Sequence, residues 1–248
     1  MNNELILVVA VVILGIILGQ KKNTKIFRPL KIVCIGDSLT YHTNTYICQT
    51  NLLWPALLQA RTGHTIINKG ISGNTSAEML ARFTTDVIAN SPDYCIIECG
   101  GNDPMNWDTG TMGRIEQMAD LCRANSIIPL IMCCNPQFMS AQWANNWAGI
   151  TPGSAWLAAH PGKTDFNKVW EDTAYLPATR AAEQAYCAAQ GIKYIDIYTP
   201  MLSGGTNNTA YYAPWRDAAN SVTDFVHPNA AGNELIYSLV VAKLDELR

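Results

Sequence analysis

The sequence predicts an α/β domain with a parallel sheet covered by helices on both faces. Three observations predict it. Short apolar runs rich in Ile and Val alternate with helix-like segments from Lys31 onward. Each of the first three runs is followed by a polar cluster marked by glycine, and another polar cluster, "DFVHPN", precedes the last helix. Hydrophobic residues make up 48% of 248 positions, enough for a sizeable core.

Taken in order, "KIVCI" from Lys31 is strand one, and "LLWPALLQARTG" is a helix ending at Gly63. "TIINKG" is strand two. "TSAEMLARFTTDVIAN" is a helix whose Thr75 and Glu78 have capping-box spacing. "DYCIIECG" is strand three, "GRIEQMADLCRAN" a helix and "IIPLIMCC" strand four. An irregular stretch runs from Asn135 to about Leu176. "ATRAAEQAYCAAQG" is then a helix, "KYIDI" strand five and "NAAGNELIYSLVVAKLDEL" the closing helix. Crossovers between such strands are expected to be right-handed.

The N-terminus differs. Leu5–Gly19 is an unbroken apolar run of 15 residues. At about 1.5 Å per residue it spans roughly 22 Å, against about 30 Å for a bilayer core. No Lys or Arg precedes it, and "ILGQ" is a poor cleavage site. The reading is an uncleaved membrane anchor over residues 1–19, a basic linker over 20–30 and a globular domain over 31–248. Secretion after cleavage is the alternative. Lys21, Lys22, Lys25 and Arg28 place the domain on the cytoplasmic side by the positive-inside rule, whereas a leader-like segment argues for export. The side stays open.

Net charge is −3 with no basic stripe, which argues against a nucleic-acid partner. The eight cysteines lack metal-ligand spacing, and most fall in apolar runs, as buried reduced thiols would. "PGKT" (161–164) lacks the first glycine of a P-loop, and no GxSxG elbow occurs.

In a parallel sheet, ligands bind beyond the carboxyl ends of the strands. The clusters predicted there are "GDSL" (36–39), "GISGN" (70–74), "GGND" (100–103) and, before the last helix, "DFVHPN" (224–229). Together they hold what acyl transfer requires. Ser38 offers a hydroxyl, and His227 a base suited to neutral pH. Asp224 can accept a hydrogen bond from the imidazole. Gly73, lacking a Cβ, lets its N–H approach a substrate, Asn102 brings an amide, and Ser38 adds its own N–H. Taken singly, each cluster is ordinary turn chemistry.

In this order, the four clusters resemble the blocks of the SGNH/GDSL hydrolases, closest to the bacterial thioesterase, arylesterase and lysophospholipase-like branch. The resemblance covers Lys31 to Arg248 apart from the Asn135–Leu176 stretch. It implies a flavodoxin-like three-layer α/β/α sandwich with a five-stranded parallel sheet. It also implies ester hydrolysis without metal or cofactor. Ser38, Asp224 and His227 would be the triad, and Ser38, Gly73 and Asn102 the oxyanion hole.

The long stretch departs from simple members of that branch. It holds Trp143, Trp147, Trp156 and Trp170, four of the seven tryptophans. With Trp107 and Trp215, which flank other site clusters, Trp143, Trp147 and Trp156 are candidates for a platform that stacks on sugar rings; packing the insertion onto the domain is the alternative. The expected substrate is therefore a small-molecule or carbohydrate ester with a short acyl group. An O-acyltransferase, a lysophospholipase or a thioesterase would use the same triad. Asp37 is expected to shape its turn, Glu98 to face the cleft or form an ion pair, and His64 to be structural. His42 is read as a solvated loop residue and His160 as having no evident role.

Overall fold

Every residue from Ile32 to Ile35 in the first strand is buried, because the strand is covered on both faces. Ile32 and Cys34 of β1 (Lys31–Gly36) join one apolar layer, while Val33 and Ile35 join the other. The same division separates Tyr94 and Ile96 from Cys95 and Ile97 in β3 (Tyr94–Glu98), and Leu130 and Met132 from Ile131 in β4 (Ile128–Met132). The computed structural model describes residues 28–41, 48–103, 110–136, 175–203, 206–207, 209–217 and 220–247.

With β2 (Thr65–Gly70) and β5 (Lys193–Ile195), these strands form one parallel sheet in the order β2-β1-β3-β4-β5. The register pairs Lys31 with Thr65, Ile32 with Tyr94, Ile97 with Ile131 and Met132 with Ile195. The order reverses between β1 and β3, the position where such sheets open a crevice for a ligand. On one face, α1 (Trp54–Thr62) lies against the closing helix and buries Trp54 and Leu58. The opposite face carries α2 (Ser76–Asp86), which buries Met79 and Phe83, and α3 (Thr111–Ala124), which buries Ile115, Met118 and Cys122. It also carries α4 (Tyr175–Gln190), through Cys187. Burying each large apolar side chain contributes about 1.5–3 kcal/mol.

Beyond the sheet, β6 (Leu202–Ser203) pairs with β7 (Thr206–Asn207), and β8 (Tyr212–Asp217) with β9 (Asn220–Pro228), both antiparallel. The closing helix is α5 (Ala230–Asp245), which buries Ile236, Val240 and Leu244. The parallel sheet and its two helical layers agree with the sequence expectation. The main correction concerns "DFVH", expected in a loop: it lies in β9. Its apolar residues are too few and too interrupted to announce a strand, and the strand is carried by pairing of the flanking residues 220–223 and Pro228 with β8. Strand five ends at Ile195 because the Asp196 carboxylate accepts from the Thr199 N–H at 3.0 Å, which turns the chain. The α2 helix ends at Asp86, and residues 88–90 form a 3₁₀ turn. All eight cysteines are buried free thiols. The expected anchor over residues 1–19, all of the linker except Arg28–Leu30, and the tryptophans of the insertion lie outside the described residues.

Candidate active site

The turn carrying Ser38 is shaped from below. A Cβ at Gly36 would sit 2.1 Å from Thr40 Oγ1 and 2.7 Å from Glu98 Oε2, so only glycine lets β1 pass over the Glu98 carboxyl. The chain then folds back: Tyr41 N–H donates to Asp37 O at 3.0 Å, and Leu39 N–H to Asp37 Oδ1 at 2.8 Å. Leu39 and Thr40 are buried, which leaves the half-buried Ser38 at the turn.

His227 arrives from the separate β8–β9 hairpin. Between the pairs Tyr212↔Pro228 and Pro214↔Thr223, β8 advances two residues while β9 advances five. The extra residues bulge from the ladder at Asp224–His227. On a regular strand, residues three apart face opposite sides; a bulge removes that constraint and re-aims side chains. Buried asparagines hold both carbonyls flanking the histidine. Asn135 Nδ2 donates to Val226 O at 2.7 Å, and Asn233 Nδ2 to Pro228 O at 3.0 Å. Asn229 caps α5 by accepting from Gly232 N–H, and its Nδ2 donates to Tyr212 O at 2.9 Å. His227 Nε2 thereby lies 2.9 Å from Ser38 Oγ.

Gly73 and Asn102 come from the neighbouring strand ends. Gly73 has φ +79° in a turn closed by Asn74 N–H donating to Ile71 O at 3.1 Å. Among the described residues no atom beyond its chain neighbours lies within 4 Å of where its Cβ would be, and the left-handed backbone calls for glycine. Asn102 Nδ2 donates to Asp37 Oδ2 at 3.0 Å and to Asn74 O at 3.1 Å. Both of its N–H groups point into the cluster. An arriving oxyanion must share or take one of them.

Arg82 of α2 was not legible as a site residue. Its guanidinium donates to Gly36 O at 3.2 Å, Lys69 O at 2.7 Å, Asn74 Oδ1 at 2.8 Å and Asp86 Oδ2 at 2.7 Å. It ties the ends of β1 and β2 to the Gly73 turn. A single Arg on an amphipathic helix carries no signal of this in sequence. Glu98 also departs from expectation. It is fully buried, forms no ion pair among the described residues, and accepts from Asp37 N–H at 3.3 Å and Thr40 Oγ1 at 3.1 Å. Burial pushes Asp37 up to about 6, although the Leu39 N–H and the Glu98 side chain hold it down in part. Burial, with the Asp37 charge beside it, drives Glu98 well above the ordinary carboxyl range.

Ser38, His227, Gly73 and Asn102 thus converge at one edge of the sheet. Asp224 and Trp215 lie on β9 and β8. His64 is buried and accepts from Leu30 N–H. Trp107, Trp143, Trp147, Trp156, His42 and His160 lie outside the described residues. Among the described residues no group of three or more His, Cys, Asp or Glu side chains could hold a metal ion.

Residues 34–235 match the GDSL-like lipase/acylhydrolase family. This chain belongs to that family. A stretch of 107 residues, 41% of this chain, is 31% identical to thioesterase 1/protease 1/lysophospholipase L1 of Escherichia coli K12 and covers 49% of that protein. A shorter stretch of 50 residues, 19% of this chain, is 50% identical to an acetylxylan esterase of Geobacillus stearothermophilus and covers 23% of it. The matched stretches span about half or less of these curated relatives. A GDSL-like lipase from Bacteroides thetaiotaomicron superposes with TM-score 0.63 at 23% identity, over 88% of this chain and 89% of that one, which shows the shared fold.

Proposed function

We propose that the chain is a serine carboxylic ester hydrolase, a reading carried by the 2.9 Å contact between His227 Nε2 and Ser38 Oγ. His227 takes the Ser38 proton as the hydroxyl oxygen attacks the ester carbonyl. Asp224 orients the imidazole. The tetrahedral oxyanion is held by the Ser38 and Gly73 N–H groups and by Asn102 Nδ2. The alcohol leaves with the proton from His227. Water, deprotonated by the same histidine, then releases the acid from Ser38. Ser38→Ala should abolish p-nitrophenyl acetate hydrolysis and fluorophosphonate labelling; retained turnover would remove Ser38 from the chemistry.

The proposed substrate carries a short acyl group on a sugar or small alcohol. The tryptophan density of 143–170 and the local likeness to an acetylxylan esterase support this choice. The longer likeness to a thioesterase and lysophospholipase favours lipid substrates as the second reading. An ester panel from acetyl to palmitoyl, with acetylated sugars included, separates the two, since activity confined to long chains would overturn the first. Transfer to an added sugar in preference to water would make the enzyme an O-acyltransferase instead. Tethering by Leu5–Gly19 is part of the proposal, supported by the unbroken apolar run. Among the described residues no helix is long and apolar enough to cross a membrane. Release of the full chain from membranes by high salt alone would argue against the tether.

A further inference from the structure

Ser38 and His227 belong to different structural units. Ser38 follows β1 of the parallel sheet, and His227 lies on the β8–β9 hairpin, which forms its own two-stranded sheet. Among the described residues no strand ladder joins the two units, and side-chain hydrogen bonds bridge them. A buried chain of hydrogen bonds runs from the residue after Ser38 to the residue after His227. Trp54 Nε1 donates to Leu39 O at 3.1 Å. The backbone N–H of the same tryptophan donates to Asn233 Oδ1 at 3.0 Å. Asn233 Nδ2 then donates to Pro228 O and Asn229 O, each at 3.0 Å. Trp54 is 0% exposed and Asn233 1% exposed, so water does not compete for these bonds.

We propose that Trp54 and Asn233 are positioning residues that set the distance between the Ser38 hydroxyl and the His227 imidazole. The indole fills the layer between sheet and α1 and so cannot swing. Asn233 sits in the first turn of α5, which also presses on the hairpin through the Asn229 cap. A neutral amide is needed there: its oxygen accepts from Trp54 while its nitrogen donates to two carbonyls. Neither Asp nor Leu can do both. Each end of the bridge is one residue from a reacting group, so a slack bridge passes directly into the Ser–His contact. Misplacement of a catalytic group by about 1 Å costs on the order of 100-fold in rate.

This inference rests on the serine-hydrolase reading, and its test separates the two. Trp54→Phe keeps the ring and the backbone N–H but loses the bond to Leu39. Asn233→Ser shortens the amide to a hydroxyl. For each, kcat on p-nitrophenyl acetate is measured per site titrated with a fluorophosphonate, alongside KM and Tm. The expected result is a kcat per titrated site lowered about 10- to 100-fold with KM within about twofold. The double variant should fall little further than the worse single one, because both act through one bridge. A lower Tm and fewer titratable sites with unchanged kcat per site would overturn the proposal, since that is what a merely structural role produces. Crystal structures of the same variants give a readout independent of the chemistry. A Ser38 Oγ to His227 Nε2 separation beyond 3.5 Å supports the bridge, and a retained 2.9 Å contact overturns it. If Ser38→Ala keeps its activity the esterase reading fails, but the crystallographic test still decides whether the bridge sets the distance.

Discussion

Asp37 shows how much one side chain carries at this site. Its two carboxylate oxygens are divided: Oδ1 accepts from Leu39 N–H and closes the Ser38 turn, and Oδ2 accepts from Asn102 Nδ2. The same acid thus aligns the candidate nucleophile and one oxyanion donor. Glu98 behind it accepts from the Asp37 N–H, and burial beside the Asp37 charge raises its carboxyl well above the ordinary range. Asp37→Ala should lower kcat about tenfold or more, because Asn102 keeps only its bond to Asn74 O. Steady-state kinetics with p-nitrophenyl acetate checks this, and a kcat within twofold of wild type would refute it. In sequence, Asp37 reads as a turn former, which is correct. Its hold on Asn102 spans 65 positions and cannot be read from the local pattern.

At the scale of elements, α2 links local sequence to the site most directly. Thr75 and Glu78 form the capping box that "TSAE" predicts, with Thr75 N–H donating to Glu78 Oε2 at 2.8 Å. The cap begins two residues after Gly73, so the start of the helix also anchors the candidate oxyanion turn. Thr75→Ala should cost about 1 kcal/mol of unfolding free energy, measured by urea denaturation, and a loss below about 0.3 kcal/mol would mean the cap is dispensable. The strand that carries His227 is the contrasting case. No periodicity marks β9, and its bulge exists only in the pairing with β8. Local propensity could not have placed it.

Across the whole molecule, buried carboxyls set the response to pH. Glu183 of α4 is almost fully buried, and its main described support is the Tyr194 hydroxyl, which donates at 3.3 Å. Burial pushes this carboxyl up to about 8, from a usual value of 4.5. Below about 4.5 both folded and unfolded chains hold the proton, and stability is full. As pH rises toward 8, the unfolded chain releases it while the folded chain retains it, so stability falls. Asp37, raised to about 6, acts in the same direction over a lower window. Glu183→Gln should therefore reduce the loss of unfolding free energy between pH 5 and pH 8, by on the order of 2–4 kcal/mol. Urea titrations at both pH values test this; an unchanged difference would mean Glu183 ionises freely in the fold.

What the sequence by itself determined was the layered architecture and the polar clusters that its strand ends present at one edge. Strands buried on both faces must be continuously apolar, and a sheet of parallel strands must deliver its loops to one edge, so "GDSL", "SGN" and "GGND" could be placed before any coordinates. Only the tertiary structure decided how those groups are held. Arg82, Asn135 and Trp54 act through hydrogen bonds to backbone carbonyls 46, 91 and 15 positions away, and Asn233 accepts from a backbone N–H 179 positions away. A carbonyl carries no residue identity, so nothing in the order of amino acids announces which one a distant side chain will reach.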